Sequence, residues 1–178
     1  MPAPTAIPSP LCGIRNNLLM KISVIILFLM LSTSSAFAQT DTSSIRAEVY
    51  KRHIAIFPES FTDLIPGHPF SPTLAEIDRA EKALMTQLAS LNNLRINQTE
   101  SPVIHENLRK YRRQYFGFID SKGNRILLIN CLWAKDKLYS EVWLKSRIMV
   151  LDGGSYFWNI KFNLTNGKLF DLDVNGYG

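Results

Sequence analysis

The sequence predicts an α+β fold, with two or three N-terminal helices packed on one face of a four- to five-stranded antiparallel meander sheet. Two observations carry this expectation. Apolar residues recur at spacings of three and four across 73–91, the period of a helix buried on one side. From about Arg113 onward the pattern changes to short apolar and aromatic runs separated by turn signals such as Ser121-Lys122-Gly123 and Asp152-Gly153-Gly154.

The element order begins after a processing signal. Met20–Gln39 opens with Lys21, continues through the apolar run Ile22–Leu31, and ends with Ala36-Phe37-Ala38. These are the three parts of a secretory signal peptide, with cleavage expected after Ala38. The run is about half of the ~20 apolar residues needed to cross a bilayer, so no stable membrane span is expected after cleavage. Residues 1–19 carry four prolines and no apolar period, and read as a non-native extension ahead of the true start. Residues 39–178 then form a single exported domain, large enough for a core of its own. The formal charge of +5 falls by two on cleavage, because Arg15 and Lys21 leave and no acid does. So mild an excess predicts no nucleic-acid binding. Cys131 would be the lone cysteine of the exported domain, in the apolar run RILLINCLW, and is expected to be buried and inert.

Ile45–Phe57 has helical character. The following segment, FPESFTDLIPGHPFSP, is an ordered loop, because Phe57, Phe61, Leu64, Ile65 and Phe70 call for burial. Thr73 and Glu76 have the spacing of a capping box, and Leu74, Ile77, Ala80, Leu84, Leu88 and Leu91 form one apolar stripe. A second helix is expected from Ser101 and Pro102, with Ile104, Leu108 and Tyr111 as its stripe. RQYFGFID and NRILLINCLWA should pair as a hairpin. KSRIMVL is expected as the next strand, followed by SYFWNIKFNL and KLFDLDVN. A three-residue loop, Thr165-Asn166-Gly167, would pair Phe162 with Phe170, Ile160 with Leu172 and Trp158 with Val174. It also sets Lys161 opposite Asp171, and Asn159 opposite Asp173.

The segment DLDVNG resembles the first half of a calcium loop, with Asp171, Asp173 and Asn175 as possible ligands. The strand reading competes with it: neighbouring side chains fill the core, the two acids point to the polar face, and Lys161 already answers Asp171. No metal and no cofactor is therefore expected. His53, His68 and His105 lack metal-ligand spacing, and neither a nucleophile elbow nor a phosphate loop occurs. Arg109, Lys110, Arg112 and Arg113 cluster around Tyr111 and are candidates for gripping an anion or an acidic partner. Trp133, Trp143 and Trp158 suggest an aromatic sheet whose concave face would take a small apolar ligand.

YRRQYFGFID, ILLINCLW, VLDGGSYFWNIKFNL and KLFDLDVNG together resemble a family of short exported bacterial proteins of uncharacterised function, over about residues 110–176. The resemblance implies a bacterial envelope setting and no particular activity. The helix-then-sheet order is also similar to cystatin-like folds. The cystatin protease-binding hairpin is absent, because Gly117 falls one place too early after Gln114. The expected function is a non-catalytic binding or protein-interaction module of the periplasm or extracellular space. Its alternatives are an inhibitor or immunity-type protein, and a small hydrolase pairing a histidine with Asp152 or Asp173.

Overall fold

The computed structural model describes residues 45–134 and 142–177. The expected signal segment and residues 1–19 lie outside the described residues. Among those described, no helix is long and apolar enough to cross a membrane.

The expected helical layer and all-antiparallel meander are both overturned. Among the described residues, one α-helix packs on a mixed sheet of seven strands. The strands are β1 (Glu48–Tyr50), β2 (Ile54–Ile56), β3 (His68–Phe70), β4 (Tyr111–Ile119), β5 (Arg125–Trp133), β6 (Phe157–Asn163) and β7 (Lys168–Val174). Their order is β1-β2-β4-β5-β6-β7. β2 runs parallel to β4 beside Arg113–Tyr115, and β3 runs antiparallel beside Gly117–Ile119, so two short strands share one edge of β4. The close approach of β3 needs a glycine: a Cβ at Gly117 would lie 2.5 Å from the Phe70 carbonyl oxygen.

Residues 45–57 form the β1–β2 hairpin instead of a helix. Lys51 and Arg52 take positive φ at its turn, which ends any helical run. Ile54 and Ile56 then enter the core as β-branched strand residues. Helix α1 spans Leu74–Leu91 as expected, and its capping box is formed: Glu76 N–H donates to Thr73 Oγ1, and Thr73 N–H donates to Glu76. The expected second helix is replaced by two 3-10 turns, Ile104–Glu106 and Leu108–Lys110, interrupted at Asn107. Its proposed cap is committed elsewhere, since Ser101 Oγ donates to the Asn97 carbonyl and accepts from Ser155. The expected strand at KSRIMVL is absent too. Ile148 N–H donates to the side chain of Gln114 instead of entering a ladder.

The sheet is covered on both faces, which explains why β4 and β5 read as nearly continuous apolar runs. On one face Ile77, Ala80, Leu84 and Leu88 of α1 pack on Tyr115, Leu127, Ile129, Ile160 and Phe162. On the other, the loops at 57–65 and 142–150 cover Phe116, Phe118, Ile126 and Leu128. Phe57 stacks on Phe116 at 4.4 Å between ring centroids and meets Phe61 edge-on at 4.7 Å.

The last hairpin follows the expected register only at its far end. Trp158 pairs with Val174 and Asn159 with Asp173, as expected. Nearer the turn, Phe162 pairs with Leu169 and Lys161 with Phe170. The turn is one residue longer than expected, because Asn163 pairs with Lys168. A bulge at Asp171 and Leu172 absorbs the extra residue, with Asp171 in the left-handed region at φ 55°. Leu169 is therefore buried where Phe170 was expected, and Phe170 stays exposed.

Candidate functional site

Strand alternation disperses the basic cluster. Arg113 points to the helix face and is only 3% exposed. Arg112, its neighbour, points the other way and lies over the Trp143 ring, 5.3 Å from its centroid. Arg109 and Lys110 stay exposed on the second 3-10 turn. The tryptophans separate in the same way. Trp133 stands edge-on to Tyr111 on the helix side, whereas Trp143 is buried in the core of the opposite face. The two do not share a cleft.

The acidic C-terminal stretch also diverges. Asp171 holds Lys161, Asp173 accepts from Asn159, and the Asn175 amide donates to the carbonyls of Val150 and Asp152. Among the described residues, no three His, Cys, Asp or Glu side chains are grouped so as to hold a metal ion.

A groove of about 760 Å³ does bring several of the singled-out residues together. It runs between α1 and the two 3-10 turns and includes His53, His105, Arg109, Lys110 and Arg113 in its lining. Its wall is set by local chemistry. The Asn92 and Gln98 amides are buried and bond reciprocally, and Gln98 Oε1 accepts from the Ile104 N–H, fixing the first turn against the end of α1. His105 Nδ1 sits 2.9 Å from the same Asn92 amide.

The floor is an ion pair inside the core. Arg113 binds Glu81 through both carboxylate oxygens, Nε to Oε1 at 2.7 Å and Nη2 to Oε2 at 3.0 Å. Its Nη1 donates to the Leu108 carbonyl at 2.9 Å. The Tyr115 hydroxyl also donates to Glu81 Oε1. Burial alone would push the Arg113 pKa down, but the Glu81 carboxylate together with Tyr115 and Cys131 holds the guanidinium above its ordinary value. Burial and then Glu81 push the Tyr115 phenol well up. At His53, burial and then the Arg113 charge lower the imidazole pKa. Both oxygens of Glu81 are therefore committed, to Arg113 and to the Tyr115 hydroxyl.

The rim differs. Arg109 makes no hydrogen bond or ion pair among the described residues, and Lys110 Nζ meets only the Asn107 amide oxygen, with the Trp133 ring beneath it. Met85, 73% exposed, lines the same groove. Glu81 and Met85 were missed from the sequence. A signal for Glu81 existed: it continues the 77-to-84 stripe at helical spacing, so it borders the buried face.

The hydrolase arrangement is not assembled. His68 lies on β3 away from this groove, and neither Asp152 nor Asp173 has a histidine partner among the described residues. Comparison with protein-family models, with curated proteins and with solved structures found no match for this chain.

Proposed function

We propose that this chain is an exported, non-catalytic protein-interaction module of the periplasm or extracellular space, and that an acidic surface of its partner seats on the groove between α1 and residues 104–110. The signal-like segment 20–38 supports export. One contrast supports the binding reading: the groove's buried charges are internally satisfied, while its rim presents exposed Arg109 and Lys110 beside an exposed Met85. Arginine and methionine are enriched at protein interfaces. Methionine also adapts to irregular partner surfaces. An inhibitor or immunity-type protein is the sharper form of this reading and requires a single tight partner.

The test is affinity capture with residues 39–178 as bait, against envelope and culture-supernatant extract of the native host. One enriched acidic partner should be lost from an R109E/K110E bait and weakened by raised salt. A partner retained equally by both baits would remove the groove from the reading. No partner at micromolar bait would reject the interaction module.

A further inference from the structure

The second face of the sheet holds a separate groove of about 500 Å³, between the segments at 64–66 and 147–151 and strands β5 to β7. Most of its polar lining is already engaged. The Asn130 amide donates to Gln114 and to the Ile148 carbonyl, and the Asn175 amide donates to the carbonyls of Val150 and Asp152. Lys161 is paired with Asp171.

Arg147 is the charged group that is not fully engaged. Its Nη1 donates to the Leu64 carbonyl at 2.6 Å. Its Nε is buried with no acceptor, and Nη2 makes no hydrogen bond among the described residues. No carboxylate pairs with it there, and burial alone lowers its pKa. A half-buried cation whose Nε and Nη2 both lack an acceptor among the described residues is unusual, because such buried N–H groups are ordinarily matched. That edge has the geometry that receives a carboxylate through two parallel hydrogen bonds.

The groove's apolar lining is also unfinished. Leu64 is 58% exposed, Met149 56% and Leu151 93%. These three large side chains line the same groove as Arg147. Scattered exposed apolar residues need no explanation, but three gathered around one unmatched cation do.

We propose that this groove binds an amphipathic carboxylate, a medium-chain fatty acid, with its carboxylate on the Nε–Nη2 edge of Arg147 and its chain along Leu64, Met149 and Leu151. Reaching Nε requires the guanidinium to turn outward, and among the described residues a single hydrogen bond, to the Leu64 carbonyl, holds it in place. Asp173 lines the same groove and disfavours a second negative charge, so a monoanionic carboxylate suits the site better than a phosphate dianion.

The test is calorimetric titration of the purified protein with dodecanoate, and separately with dodecanol, both kept below micelle formation. Dodecanoate should bind with one-to-one saturation, and dodecanol at least tenfold more weakly. R147Q should weaken dodecanoate at least tenfold, L151S several-fold, and R109Q not at all. R147K, which keeps the charge and loses the fork, should lose several-fold, and it serves if R147Q does not fold. Equal binding of dodecanoate and dodecanol, full binding by folded R147Q, or no saturation would overturn the proposal. Loss in R109Q alone would move the ligand to the α1 groove. Binding to anionic vesicles without binding monomeric dodecanoate would replace it with a lipid-surface contact.

Discussion

Arg113 and Gln114 are neighbours on β4, yet they face opposite sides of the sheet and meet different needs. On the helix side, Arg113 joins Glu81 and Tyr115 in a charged cluster inside an otherwise aliphatic and aromatic core. On the loop side, Gln114 and its cross-strand partner Asn130 are neutral amides that serve the backbone of residues 143–148. The difference follows from what covers each face. A helix satisfies its own N–H and C=O groups and presents only side chains to the sheet. An irregular loop brings unpaired backbone groups into the core and needs donors and acceptors there. Gln114 supplies both, accepting from the Ile148 N–H at 2.9 Å and donating to the carbonyls of Trp143 at 2.7 Å and Ser146 at 2.8 Å.

The comparison is broken most severely on the helix side. Glu81→Ala leaves Arg113 buried without its counter-charge and should cost about 3–5 kcal/mol in urea unfolding. Replacing the whole cluster, as E81L/R113M/Y115F, should cost less than that single change. A triple variant worse than E81A would mean that the cluster itself is a net source of stability.

Gln114→Ala strands several buried groups on the loop side and should cost about 1–3 kcal/mol. Its signature should be local. Hydrogen exchange should speed up in residues 142–150 and stay unchanged in α1; uniform loss of protection would contradict the division between the faces. Thr73→Ala removes one half of the capping box and should lower stability by about 1 kcal/mol.

The pH response should be smaller and one-sided. The His53 pKa is lowered in the fold, so the unfolded chain binds the proton more readily. Stability should therefore fall as pH drops through 6.5, the ordinary histidine value, and level off below the folded pKa. His53→Gln should flatten this part of the curve, and an unchanged acid slope would remove His53 as its cause. The smallest effect is chemical. Cys131 is 1% exposed, and burial pushes its thiol pKa up, so thiol reagents should label it no faster than the protein unfolds.

Legibility in the sequence followed the range of the deciding interaction. Helix α1 was readable to its first residue because Thr73, Glu76 and the stripe from Ile77 to Leu88 act within a few turns of one another. The β4–β5 hairpin was readable because Asp120 organises its own turn, accepting from the Lys122 and Asn124 N–H groups. β1 and β2 were not. Three-residue strands carry too little pattern, and β2 is held by its parallel contact with β4, more than fifty positions away. The bulge at Asp171 hid for a related reason. Alternation alone suggested one continuous register, while the longer turn and the burial of Leu169 demanded another.

By itself the sequence determined helix α1 and the long strands β4 and β5, and that Cys131 and the aromatics Phe57, Phe61 and Phe70 would be buried. Those outcomes rest on local periodicity, capping and hydrophobicity, which each segment carries with it. Only the tertiary structure decided what each side chain of the basic run would do. Residues 112 and 113 differ by one position in the chain and by a whole sheet in space. Arg112 goes to Trp143 and Arg113 to Glu81, because side chains on a strand alternate and each face has its own cover.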